Sequence, residues 1–309
     1  MALLLAAMAT AGCGGGDRPA PGPDAPRFDP AFLMNNDIWR EQRQAELLQP
    51  DGWTSLIGLH WLELKAHYIG SGSTSGIRLA MGPPRLGMVV HEAGRYWFTP
   101  ERGVAVQVDG KPVKGRIPFH ADDEPSPTMI TFDGGKGTLS LIHRGPRHAL
   151  RVRHADAPAR AHFGHLEYWP ADASWRITAR FMPHDAGKTL PVVDITGLTT
   201  EQANAGAIEF ERDGRTWRLE ALGEPGRPLF VIFADRTSGH GSYAAGRYID
   251  LETPDDKSQV VIDFNRAYNP PCAFTPFATC PLPPPENRLD LPVEAGEKAY
   301  VKPAQEDAT

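Results

Sequence analysis

The sequence predicts a mostly β protein built as two packed β-sandwich or barrel-like modules with one N-terminal α-helix. Three observations lead there. The chain of 309 residues carries 31 Gly and 30 Pro, a content that favours many turns and few long helices. Short apolar or alternating runs, separated by Gly- and Asp-Gly-type turn signals, recur from Trp53 to about Lys302, as in sandwiches and small barrels. One helical segment precedes them. Hydrophobic residues make up 41% and charged residues 23%, enough apolar material for a core.

In chain order, the helix is expected over residues 38–48, capped by Asp37 and stopped by Pro50 before the Asp51-Gly52 turn. Its few apolar residues place it on a surface of the body. In the first module, strands are expected over 53–62, 66–69, 77–79, 95–98, 104–108, 129–132 and 139–142. Asp109-Gly110 marks one hairpin and Gly134-Gly135 another. In the second module, 175–181 alternates apolar and polar side chains, as a half-buried strand does. Strands over 207–211 and 216–220 flank the hairpin signal Asp213-Gly214. The apolar runs 229–233 and 260–264 read as buried strands. The resulting organisation is a signal peptide at 1–12, a Gly/Pro tether at 13–30, a helix plus β module at 31–155, a second β module at 156–303 and a tail at 304–309.

Composition narrows the functional classes. A formal charge of -6 provides no cationic surplus for nucleic acid, which is not an expected partner. No apolar run approaches the ~18 residues of a spanning helix. The start, MALLLAAMATAG followed by Cys13, resembles a bacterial lipoprotein signal. It departs from that pattern at Thr10 and in lacking basic residues at its start. Cys13 is the expected lipidation site, followed by a Gly/Pro spacer, so the expected partner is the membrane, through a lipid anchor, with the body in the periplasm. The other two of the three cysteines, Cys272 and Cys280, then form an even pair, which in an exported chain reads as a disulfide. A metal pair lacks nearby His, Asp or Glu, and a redox pair has closer spacing. No metal-binding or nucleotide-binding spacing occurs, and no cofactor is expected.

The segment Asp263-Phe264-Asn265-Arg266-Ala267-Tyr268-Asn269-Pro270-Pro271-Cys272-Ala273-Phe274-Thr275 resembles the signature of the family known as domain of unknown function 1684. The resemblance continues through Ala278 to Pro284, Glu286-Asn287-Arg288 and Ala295 to Lys298, and upstream through Tyr243, Gly246-Arg247-Tyr248 and the Trp53 to Leu62 segment, so that it covers most of the chain after the tether. It implies family membership and no activity. Ile69-Gly70-Ser71, Ile77 to Leu79 and Val108 to Val113 resemble forkhead-associated β sandwiches. Ser71 stands where those domains place the Arg that grips phosphate, so this resemblance implies a fold and not phosphopeptide binding.

Two constellations can carry function. Asp235, His240 and Tyr243 sit in a polar, Gly-rich stretch after a buried strand. His240 as base with Asp235 gives a hydrolase reading, although the chain has no G-x-S-x-G elbow. Arg247, Asp263, Asn265, Tyr268, Asn287, Arg288 and Glu297 form a second set. It is either an ion-pair and amide network that pins the Pro-rich segment, with Arg247 partnering Asp263, or a polar ligand pocket with Arg247 as fork and Asn265 as amide reader. The expected function is non-catalytic binding of a small polar ligand, a glycan or a protein partner by an envelope lipoprotein. The periplasmic hydrolase is the alternative.

Overall fold

The computed structural model describes residues 29–303. The expected signal peptide, Cys13, the tether up to residue 28 and the tail lie outside the described residues. The fold is mostly β, with one long helix, α1 (Pro30–Leu47).

The helix begins at Pro30, eight residues before the expected start at Ile38. Asp29 is the cap, its Oδ1 accepting from the Ala31 N–H at 2.9 Å, and Pro30 occupies the first turn, where a missing N–H costs nothing. Asp37 is instead an exposed mid-helix residue, 3.7 Å from Arg40. The helix precedes the first module in sequence, yet residues of the second hold it. Arg40 Nη2 donates to the Trp169 carbonyl at 3.1 Å, and Leu47 is buried with Leu166 and Phe274.

The first module stacks two sheets. One has six strands in the spatial order Leu56–Trp61, Arg147–His154, Gly137–Arg144, Met129–Phe132, Gln107–Val108, Lys111–Pro112. The other has five, in the order Ile77–Arg78, Ala66–Gly70, Gly87–Glu92, Arg95–Pro100, Ile117–Pro118. Ile69, Phe98, Ile130, Phe132, Leu139 and Leu150 fill the space between them. The short turn at Asp109-Gly110 follows the sequence signal: both residues have positive φ, 50° and 72°, as a type I′ hairpin requires.

The second module is a seven-stranded sheet. Its path runs Arg247–Leu251, Leu229–Phe233, Arg215–Leu222, Thr199–Arg212, Arg176–Pro183, Gln259–Asp263, with Thr189–Val193 paired to Thr199–Arg212. Among the described residues no strand follows Gln259–Asp263. The chain turns through three short 3-10 segments, Phe264–Arg266, Pro271–Ala273 and Pro285–Asn287, and lays Leu289, Leu291, Val293 and Ala295 onto the sheet beside Ile208, Val231, Phe233 and Ile249. The prolines of this strap supply no N–H, and buried polar side chains help to hold it.

The modules meet around Trp53. The Arg151 and Arg153 guanidinium carbons stand 5.6 and 5.8 Å from its ring centre, and Trp53 packs against two buried clusters of the second module, one with Ile232, Tyr248 and Cys280 and one with Leu166 and Phe274.

Candidate functional site

Arg247 is the centre of the polar set, at 0% exposure. Its Nη2 donates to Asp235 Oδ1 at 3.2 Å and to the Val293 carbonyl at 2.9 Å; its Nη1 donates to the carbonyls of Ala295 and Glu297. Asp235 is equally occupied. Its Oδ2 accepts from the Thr237 hydroxyl at 2.8 Å and from the Val293 N–H at 2.7 Å. Burial pulls the Arg247 pKa down and the adjacent Asp235 carboxylate opposes that pull. The partner of Arg247 is therefore Asp235 and not Asp263. Asp263 caps the turn that follows it, accepting from the Asn265 N–H at 3.0 Å, with Arg176 and Arg266 at 3.9 and 3.8 Å.

The amides are consumed the same way. Asn265 donates to the Asp172 carbonyl and accepts from the Asp172 N–H, both at 2.9 Å. Asn287 repairs a gap in the sheet. Strands Arg215–Leu222 and Leu229–Phe233 pair only at Leu222 and Phe230. The Asn287 amide accepts from the Glu220 N–H at 2.7 Å and donates to the carbonyls of Glu220 and Ile232 at 2.9 and 2.8 Å. It stands in for the missing ladder bonds, which buried backbone groups require.

Glu297 is fully buried. Its carboxylate accepts from Arg43 Nε of α1 at 2.9 Å and from the Asn269 N–H at 2.7 Å, tying helix, signature turn and strap together. Tyr268 donates to Asp250 at 2.8 Å and lies under the Arg43 guanidinium at 4.6 Å. Arg288 is exposed and reaches the Pro283 carbonyl at 3.4 Å.

The residues of the hydrolase reading are not brought together. His240 is exposed, with its Nδ1 3.2 Å from the Ser238 carbonyl. Asp235 is spent on Arg247. The Tyr243 hydroxyl donates to Cys272 Sγ at 3.7 Å. No hydrogen bond links any two of His240, Asp235 and Tyr243, so they form no base–orienter pair of the kind acyl transfer needs. Among the described residues no group of three or more His, Cys, Asp or Glu is placed to hold a metal ion.

The expected disulfide is not formed: Cys272 and Cys280 are free thiols. They touch through a hydrogen bond, the Cys272 N–H donating to Cys280 Sγ at 3.1 Å.

Glu220 carries a pH prediction. Burial raises its pKa, but donors from His184 (2.7 Å), Asn204 (2.8 Å) and Arg218 (3.1 Å) outweigh that and hold it below its ordinary 4.5. A depressed carboxylate contributes stability above the unfolded pKa and loses it as pH falls through the folded one. Chemical denaturation below pH 4.5 should therefore show wild type losing stability more steeply than Glu220→Gln. Parallel acid limbs would refute the assignment.

An apolar cleft lies elsewhere, at the seam of the two modules. Its volume is about 560 Å³. One wall is Leu56, Ile57 and the four-residue helix Pro158–Ala161; the other is the turn Phe274 to Phe277. Phe163 and Tyr300 stack at 4.9 Å and 8° along it, and His162 and Lys302 stand exposed at its rim. Sequence reasoning missed this site because its walls are mostly apolar residues from five separate segments, each indistinguishable in sequence from core.

The family described as protein of unknown function (DUF1684) matches residues 161–298. The solution NMR structure of an uncharacterized protein from Haloarcula marismortui is 34% identical, covers 45% of this chain and 78% of its own, and superposes with a TM-score of 0.38. This chain belongs to the DUF1684 family. No curated protein matches it. The DUF1684 segment contains the whole Arg247–Asn265–Asn287–Glu297 network and both strap cysteines. The cleft sits at its border, with Phe163 and Phe274 to Phe277 inside the segment and Leu56, Ile57, Ala159 and Lys302 outside it.

Proposed function

We propose that this protein is a lipid-anchored binding protein of the cell envelope whose cleft takes an amphipathic small molecule with an apolar body and an acidic head. The single observation that supports the reading is the cleft itself. Its volume of about 560 Å³ falls within the ~300–1,000 Å³ typical of small-molecule sites. Its walls are aliphatic and aromatic, and the His162 imidazole and the Lys302 ammonium stand at its rim. The polar set around Arg247, by contrast, spends most of its donors and acceptors within the protein, Arg247 Nε and Asn269 Oδ1 being the exceptions, so ligand binding is assigned to the seam.

A medium-chain carboxylate such as dodecanoate is the probe. Isothermal titration below its micelle concentration should give saturable one-to-one binding. Ala159→Trp, at an exposed position on the rim, should weaken it at least tenfold by filling the mouth; Lys302→Glu should weaken it by roughly five- to tenfold by reversing the rim charge. His240→Ala should leave it unchanged. Absence of saturable binding, or binding indifferent to Ala159→Trp, would overturn the reading. The anchor is tested separately: cells fed an alkyne-labelled fatty acid should label wild type and not Cys13→Ser.

A further inference from the structure

We propose that Cys272 and Cys280 are an exchange-competent dithiol, in which Cys272 is the site of modification by small disulfides and Cys280 resolves the adduct into a reversible intramolecular disulfide. This goes beyond the ligand reading and does not depend on it.

The geometry divides the roles. Cys272 is partly exposed on the turn Pro271–Ala273, whereas Cys280 is buried at 3% exposure. A small reagent therefore meets Cys272 first, and Cys280 stands behind it, already in contact through the Cys272 N–H at 3.1 Å. The Tyr243 hydroxyl donates to Cys272 Sγ at 3.7 Å and so favours its thiolate. Burial keeps the Tyr243 proton in place by raising its pKa.

The charged and titratable groups that face the pair come from several elements. Tyr243 follows Leu229–Phe233, Tyr248 lies on Arg247–Leu251, and Tyr268 packs in the same cluster. Arg151 of the first module lies within Coulombic range of Cys280 and makes no salt bridge to any described carboxylate. No acidic side chain contacts either sulfur among the described residues. The neighbouring Cys280 side chain pulls the Cys272 pKa down to about 7 against the opposing effect of burial, while the Cys272 side chain and burial raise that of Cys280. Cys272 is thus the sulfur favoured as thiolate and Cys280 the one favoured as thiol, an arrangement suited to ordered exchange.

The chemistry balances with a low-molecular-weight disulfide, RSSR, as oxidant. The Cys272 thiolate attacks one sulfur of RSSR; a Cys272–SR bond forms, the S–S bond of the reagent breaks, and RS⁻ leaves. Cys280 gives its proton to solvent and attacks Cys272 Sγ, expelling the second RS⁻. Two protein thiols are oxidised by two electrons and one small disulfide is reduced to two thiols. Excess small thiol reverses both steps. The closed ring brackets Phe274 to Phe277, the turn that walls the cleft.

The test uses full-length reduced protein carrying Cys13→Ser, so that only the pair reports, treated with oxidised glutathione under native conditions and read by non-reducing mass spectrometry. The expected product is lighter by two hydrogens and returns to the reduced mass with excess glutathione. Cys280→Ala should trap one glutathione on Cys272, and Cys272→Ser should trap none. As a second readout, alkylation by iodoacetamide should rise with pH to half its maximum near 7, the value set by the Cys280 contact. In Cys280→Ala the midpoint should move toward the ordinary cysteine range, slowing the pH 7 rate roughly tenfold. Thiols that stay unmodified until the protein is denatured would overturn the proposal, as would a pair that is oxidised from the outset and resists excess thiol under native conditions.

Discussion

Replacing Arg247 by Met lowers stability by about 3–5 kcal/mol, the loss expected when one partner of a buried ion pair is removed. The physical cause is what remains behind. Asp235 keeps its charge at a position with no exposed side-chain surface, and the carbonyls of Val293, Ala295 and Glu297 lose their donor. Each unsatisfied buried group carries a desolvation penalty of roughly 1–3 kcal/mol, only partly expressed because the strap can relax toward water. The double variant Arg247→Met with Asp235→Asn should be less destabilised than the sum of the two single variants, because the stranded charge is gone. A coupling of roughly 0.5–3 kcal/mol is expected for groups in direct contact. Urea denaturation of the four proteins measures it; strict additivity would mean that the pair is not a unit.

Gly296→Ala is expected to cost a comparable amount for a different reason. Gly296 has φ of +80°, and an added Cβ would lie 2.4 Å from the Ala267 carbonyl oxygen and 2.7 Å from that of Phe264. Both obstacles are backbone, so neither can rotate away. Left-handed strain contributes roughly 1–3 kcal/mol and overpacking another ~1–3 kcal/mol. The Gly296 carbonyl also accepts from the Trp169 N–H at 2.9 Å, so a displaced strap would lose a further contact. Thermal unfolding of Gly296→Ala should show a fall of many degrees, whereas Gly214→Ala, at φ of +69° with nothing within 4 Å, should show the smaller fall of strain alone. Equal falls would argue against steric closure of the strap.

Much of the fold was legible. The type I′ signals Asp109-Gly110 and Asp213-Gly214 mark hairpins because few other residues tolerate two successive positive φ values. The apolar runs 229–233 and 260–264 correspond to strands Leu229–Phe233 and Gln259–Asp263. Strand Arg147–His154 was harder to see. Its outer face presents Arg151 and Arg153, and that face is covered by Trp53 at the seam. Amphipathic alternation cannot reveal a face buried by another module. The start of α1 was misplaced because the apolar spacing begins near Ile38, while the cap that decides it is an Asp-Pro pair eight residues earlier.

The polar set was legible as a set but not in its pairing. Which acid meets Arg247 depends on how the strap folds back, and that places Val293 and Asp235 together across 58 positions of sequence. The Pro-rich composition did indicate the need for such a network, since those residues donate no N–H. The cleft left no sequence signal, because apolar walls contributed by distant segments carry no motif.

The central claim is that the polar set is scaffold and the seam cleft is the binding site. Native mass spectrometry of the protein recovered from producing cells tests it most directly, applied to wild type, Ala159→Trp and His240→Ala in parallel. The account predicts that wild type and His240→Ala carry an additional small-molecule mass releasable as an amphipathic acid, and that Ala159→Trp does not. An additional mass retained in Ala159→Trp and lost in His240→Ala would place the ligand in the Asp235–Tyr243 loop and contradict the account.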